Sequence, residues 1–242
     1  MLKPFLVSLL DCIFPPLCQV CRSFIPNADD VHVCPSCREK MPLIVAPLCS
    51  RCGIPFAGVG DDHICGACIR DRPHFDAARA AFVYEGPCRD MIHAFKYHNK
   101  THLRRPLGLL TAGGLSEFIT SVSADLIMPV PLHRTRLRSR GFNQAILLGE
   151  IFSRHTRIPL VRDNLRRIRW TEPQVNLAAA ERRTNVTGAF SIRESSTLEG
   201  RSILLVDDVL TTGSTVDECA KVLKSAGASR VLVVTVARAL SP

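Results

Sequence analysis

The chain has 242 residues, 46% of them hydrophobic, and a formal net charge of +9. That length holds one small module plus one α/β domain of ordinary size, and the apolar content is ample for a core. No stretch is long and apolar enough to span a bilayer, so no membrane insertion is expected.

Met1 to Leu10 carries one lysine and a short apolar run, but Asp11 and Pro15-Pro16 interrupt it with no small-residue cleavage site. With no export signal, a reducing cytoplasm is expected. Cysteines fall at 18, 21, 34 and 37, and again at 49, 52, 65 and 68, so adding 31 to each member of the first set gives the second. This is an internal repeat of paired Cys-x2-Cys knuckles. Four thiolates in two knuckles form a closed tetrahedral shell for Zn²⁺. Two structural zinc ions are expected, one on Cys18, Cys21, Cys34 and Cys37, the other on Cys49, Cys52, Cys65 and Cys68. Interleaved pairing of the knuckles stays open on spacing alone. Disulfides would need an oxidising compartment. Of the remaining cysteines, Cys12 flanks the first ribbon, and Cys88 and Cys219 read as small core residues. Residues 1–75 are thus expected to form a double zinc ribbon. They hold seven basic and seven acidic side chains, so all the excess charge lies in 76–242.

In the second domain, Ala80 to Tyr84 reads as a strand, Gly86-Pro87 as a turn, and Met91 to Tyr97 begins a helical stretch. His102 to Phe118 is mostly helical, with Gly113-Gly114 a weak point. Leu126 to Val130 is a short apolar strand, and Phe142 to Phe152 has helical spacing. Ile203 to Val206 and Val231 to Val236 are apolar without alternation, as buried parallel strands read. Strands alternating with helices imply a parallel sheet, whose ligands bind beyond the carboxyl ends of its strands. The loops 131–140 and 207–214 both follow strands and are expected to meet at one site. Between them, residues 134–183 carry twelve arginines, no lysine and four acids. A solvated face would usually mix in lysine, whereas arginine pairs bidentately with phosphate, so a polyphosphate or nucleic-acid surface is expected.

The most specific stretch is Ile203 to Thr215. An apolar strand ends in Asp207 and Asp208, followed by Thr211, Thr212, Gly213, Ser214 and Thr215. A helix-like segment, Val216 to Ala226, then stops at Gly227. A small-residue loop at a helix start turns N–H groups and hydroxyls toward an anion. The acids suit sugar hydroxyls, so a ribose 5-phosphate fits both halves. A P-loop would need a lysine after its last glycine, and a dinucleotide fingerprint three spaced glycines; neither is here. A receiver-domain acid pair would sit at the end of an early strand.

This stretch resembles the phosphoribosyl-pyrophosphate (PRPP) loop of type I phosphoribosyltransferases. Pro129-Val-Pro-Leu-His133 and Arg140-Gly-Phe-Asn-Gln144 resemble the signature of the ComF family, the competence protein F-like phosphoribosyltransferases with a double zinc ribbon. Arg167-x-Arg169-x-Thr171-x-x-Gln174, Arg182-x-x-Asn185-Val186 and Ala189-Phe190 match that family's mobile-loop pattern. Tyr84 and Phe95-Lys96-Tyr97 match its entry to the transferase domain. Only the tails and the 191–199 linker lack a recognisable motif.

The resemblance implies a type I phosphoribosyltransferase-like α/β fold, a parallel sheet with helices on both faces. It implies that Asp207 and Asp208 hold the ribose hydroxyls, directly or through Mg²⁺. Thr211 to Thr215 would cradle the 5-phosphate, and Leu132, His133 and Arg134 would bind pyrophosphate, with Arg140 and Gly141 closing that turn. Residues 167–185 would fold over the site, with Arg167, Arg169, Thr171, Gln174, Arg182 and Asn185 in that loop. Its chemistry would be loss of pyrophosphate from C1 of the ribose, stabilised by arginines and Mg²⁺. His133 and His93 are the histidines open to nomination as a base, although a lone histidine is more often a surface or packing residue. Nothing in the sequence names the acceptor. Two readings therefore stand: an enzyme transferring phosphoribosyl from PRPP, or a DNA-handling factor of competence that binds single-stranded DNA or other competence proteins.

Overall fold

This computed structural model describes residues 15–26, 28–171 and 184–240. Two cysteine ribbons come first, and in each the second knuckle opens a five-residue helix, α1 (Pro35–Glu39) and α2 (Gly66–Arg70). The chain continues as β1 (Ala77–Val83), α3 (Gly86–Tyr97), a 3-10 turn (Thr101–Leu103), α4 (Arg104–Gly114), α5 (Ser116–Val122) and β2 (Leu126–Pro129). Next come α6 (Arg134–Arg140), α7 (Gln144–Thr156), β3 (Leu165–Arg167), β4 (Phe190–Ile192), β5 (Ser202–Leu210), α8 (Ser214–Ser225) and β6 (Arg230–Arg238).

The main sheet has the order β1-β6-β5-β2 and every pairing in it is parallel. Alternate residues of β5 and β6 point to opposite faces, and both faces are covered. Leu204, Val206, Leu232 and Val234 pack with Phe95 of α3, Leu107 of α4 and Phe152 of α7. Ile203, Leu205, Val231 and Val233 pack with Val216, Cys219 and Leu223 of α8. Each such fully buried side chain contributes about 1.5–3 kcal/mol. The first ribbon joins the former core through Cys18, Ile25, Val33, Cys37 and Met41. Cys88 and Cys219 are fully buried, and Cys12 lies outside the described residues.

Several boundaries differ from the sequence reading. Gly86-Pro87 is the start of α3, not a separate turn; proline at a helix start loses no intrahelical bond. Residues 131–140 contain α6. The 191–199 linker begins inside β4, which pairs antiparallel with β3. The main correction concerns the acids. Asp207 and Asp208 are not in a loop after the strand but inside β5, which runs to Leu210. The neighbour β2 stops at Pro129, opposite Val206, while β6 continues alongside with Asp207 opposite Thr235 and Leu210 opposite Arg238. Past Val206 the acids therefore keep strand geometry and are open on one side.

Candidate functional site

A cavity of about 480 Å³ opens at the carboxyl end of β5. Its walls come from β5 (Asp207 to Leu210), the following turn (Thr211, Gly213, Thr215), α3 (Lys96, Tyr97), α6 (Arg136, Ser139, Arg140) and the segment after β3 (Trp170). Leu132, Arg167 and Gln144 also line it. The two expected loops do meet.

Asp208 is 3% exposed, and its Oδ1 lies 2.8 Å from Nζ of Lys96. Burial alone would lower the Lys96 pKa, but Asp208, with Asp207 behind it, outweighs burial and holds the ammonium above its ordinary value. Asp207 is half-buried. Burial, with the Asp208 carboxylate beside it, pushes Asp207 up to about 7 against the pull of Lys96. Two carboxylates thus face one ammonium, and the site has room for a further positive charge or for hydroxyl donors. Oδ2 of Asp208 is buried without a partner among the described residues.

The turn after β5 is set by Gly213, whose φ of +83° suits glycine and caps α8. Oγ of Thr212 and Ser214 lie 2.9 Å apart and tighten the turn without lining the cavity. Arginines form the opposite wall. Positions 136 and 140 are one helical turn apart, so both reach the cavity, while Arg134 and Arg138 are exposed on the other side of α6. Burial first, and the neighbouring arginine second, push Arg136 and Arg167 down from the usual guanidinium value. Nη2 of Arg136 and Nε of Arg167 are buried without partners among the described residues. An anion between them would relieve the repulsion and satisfy both.

Other expected site residues fall around the cavity. His133 caps α6, its Nδ1 accepting from the Thr135 N–H at 3.3 Å, and neither it nor His93 lines the cavity. Arg167 donates to the buried hydroxyl of Thr171. Arg169 donates to the carbonyls of Asn185 at 3.0 Å and Thr187 at 2.6 Å, drawing the two described ends of its loop together. Gln174 and Arg182 lie outside the described residues. Lys96, Arg136 and Gln144 were given no role from sequence. The signal for Arg136 was the arginine spacing, legible once 134–140 is read as a helix. The chain's one tryptophan and both its tyrosines line this cavity. Trp170 is 44% and Tyr97 58% exposed, and the Arg136 and Arg140 guanidinium carbons lie 5.5 and 5.4 Å from their ring centroids.

The cysteines form two separate clusters in sequence order, not interleaved: Cys18, Cys21, Cys34 and Cys37, then Cys49, Cys52, Cys65 and Cys68. Within each, all sulfurs lie within 4.8 Å of one another. The Cys21–Cys34 and Cys52–Cys65 sulfur distances are 3.7 and 3.8 Å. A tetrahedron with Zn–S bonds of about 2.3 Å has edges of about 3.8 Å, so the donors fit zinc. The N–H groups of Cys34 and Cys65 point at Sγ of Cys18 and Cys49 at 3.4 and 3.3 Å, as thiolates require. Both clusters are structural zinc sites.

Residues 9–69 match the family "Double zinc ribbon domain", and residues 151–242 match "Phosphoribosyl transferase domain". With the parallel sheet and the two four-cysteine clusters, these define the class: a phosphoribosyltransferase-type α/β domain behind a double zinc ribbon. Competence protein F of Haemophilus influenzae is 34% identical over 175 residues, 71% of this chain and 76% of that one. Competence protein ComFC of Bacillus subtilis is 30% identical over 82% of this chain and 80% of its own length. DNA utilization protein YhgH of Escherichia coli K12 is 34% identical over 65% and 70%. The chain belongs to the competence protein F (ComF) family. Among the described residues no helix is long and apolar enough to cross a membrane.

Proposed function

We propose that this protein binds PRPP with Mg²⁺ in the cavity at the end of β5 and serves DNA uptake or related nucleotide metabolism. The observation that carries this is the convergence, in one 480 Å³ cavity, of paired acids, a hydroxyl-rich turn and three arginines. Three of their buried polar atoms lack partners among the described residues. In this reading Asp207 and Asp208 take the ribose hydroxyls or the cation, and Thr211 to Thr215 hold the 5-phosphate. Arg136, Arg140 and Arg167, beside Leu132, take the pyrophosphate, with Arg169, Gln174 and Arg182 contributing from the loop. His133 and Arg134 act from the rim. Bound Mg²⁺ would neutralise charge on the leaving pyrophosphate. The exposed rings of Trp170 and Tyr97 suit a planar acceptor. The division at 75/76 and a cytoplasmic setting, which keeps thiolates reduced, belong to the same reading.

Calorimetric titration of the purified protein with Mg²⁺-PRPP, and separately with single-stranded DNA, tests it. Saturable, Mg²⁺-dependent heat with PRPP is expected; no heat at millimolar PRPP would mean that the site does not bind it. A second reading, that the protein handles single-stranded DNA or a competence partner without catalysis, is favoured by the arginine surplus. Ten of the twelve are described, and only Arg136, Arg140 and Arg167 line the cavity. Phosphate tracking by the rest would weaken steeply with salt.

A further inference from the structure

The two ribbons repeat each other in sequence, yet the sheet treats them differently. Nη1 of Arg238, the last residue of β6, donates to the carbonyl of Cys52 at 2.6 Å, and its Nη2 lies 3.8 Å from the Cys52 sulfur. Arg238 is buried. A second arginine, Arg79 of β1, donates to the carbonyls of Cys49 and Ser50 at 3.3 Å. The backbone is close as well: a Cβ on Gly53 would sit 2.4 Å from the Ala78 carbonyl oxygen, so only glycine lets the knuckle lie against β1. The first ribbon is held otherwise, by apolar packing and by contacts such as the exposed Arg105–Asp30 pair at 2.7 Å.

Four thiolates around Zn²⁺ leave a net double negative charge, and a buried guanidinium beside one sulfur offsets it. The same Arg238 is opposite Leu210 in the sheet, and the Ala239 N–H donates to the Leu210 carbonyl at 2.9 Å. Leu210 is the residue before the turn Thr211 to Thr215 and itself lines the cavity. On the other side, the Tyr84 N–H donates to the Arg238 carbonyl at 2.8 Å, and Tyr84 also lines the cavity.

We propose that the second zinc centre is coupled to the ligand cavity, with Arg238 the positioning residue that fixes the start of the phosphate turn against the Cys52 knuckle, while the first centre is a brace. The consequence for ligand affinity rests on the phosphate-site reading above; the coupling itself does not.

The test follows zinc release to a chromogenic chelator together with hydrogen exchange at residues 210–214, in the full-length zinc-loaded protein. Outer-shell partners of a metal tune its affinity by about 10- to 100-fold. Arg238→Gln should therefore speed loss of one of the two zinc ions by that order and leave the other unchanged. It should also raise exchange at 210–214 and weaken Mg²⁺-PRPP about tenfold. Arg238→Lys keeps the charge without the fork and should fall between, and it supplies the same readouts if the glutamine variant does not fold. Arg105→Gln should leave exchange at 210–214 and PRPP affinity at wild-type values. Wild-type zinc release or wild-type exchange at 210–214 in Arg238→Gln would overturn the coupling. Altered release and exchange in a protein that binds no PRPP even as wild type would sink the phosphate-site reading and leave the coupling standing.

Discussion

Lys96→Met should be among the most damaging single changes near the cavity. The Lys96 side chain is 16% exposed and that of Asp208 5%, at 2.8 Å, so removing the ammonium strands a carboxylate that water barely reaches. Losing one partner of such a buried pair costs about 3–5 kcal/mol. At about 2–4 °C per kcal/mol for a chain of this size, the midpoint of thermal unfolding should fall by roughly 6–20 °C. Lys96→Met with Asp208→Asn should recover most of that loss, because the stranded Asp208 charge is removed with its partner. The single variant should also suffer less at pH 5.5 than at pH 8, since with Asp207 protonated one carboxylate, not two, loses its ammonium. Scanning calorimetry of the zinc-loaded proteins reads all three. A drop of under 2 °C for Lys96→Met, or a double variant worse than the single, would refute the reasoning.

Asp207 titrates near 7 in the fold, well above its unfolded value, so it favours folding fully only below the unfolded pKa, and that contribution is lost as pH rises to about 7. The stabilisation given by Asp207→Asn should accordingly grow from pH 5.5 to 7 and level off above, as thermal melts in a pH series will show. Arg136→Ala should weaken Mg²⁺-PRPP by at least about tenfold, the worth of one charged hydrogen bond, while Arg138→Ala on the far side of α6 leaves calorimetric affinity unchanged. Elemental analysis of protein purified without chelator should return two zinc ions per chain; less than one contradicts the assignment of the two four-cysteine clusters. Charge reversal at Arg154 and Arg157 should weaken single-stranded DNA more than PRPP, and equal loss of both ligands would leave the transferase reading alone.

The ribbons were legible because thiolate spacing is a local constraint; which knuckles share an ion was open on spacing and is decided by the fold, which groups the sulfurs in sequence order. The hydroxyl turn was legible for the same reason. The extent of β5 was not, since Asp207 and Asp208 end the apolar run while the strand continues on its pairing with β6. Nor was the Lys96–Asp208 pair, which joins residues far apart in sequence through α3 and β5. The arginine wall was half visible. The family resemblance pointed to Arg134 and Arg140, whereas the helix over 134–140 turns Arg136 and Arg140 inward and leaves Arg134 outside. Strands as short as β3 and β4 carry no periodicity to read.

Trp170 is the chain's only tryptophan and lines the cavity, so its emission reports occupancy without a label. Titrating the protein with PRPP at fixed Mg²⁺ should give a saturable change in that emission, lost when Mg²⁺ is chelated or when Asp208 is replaced by Asn in a protein that still melts cooperatively. An emission spectrum unchanged up to millimolar Mg²⁺-PRPP would contradict the assignment of this cavity to a phosphoribosyl ligand.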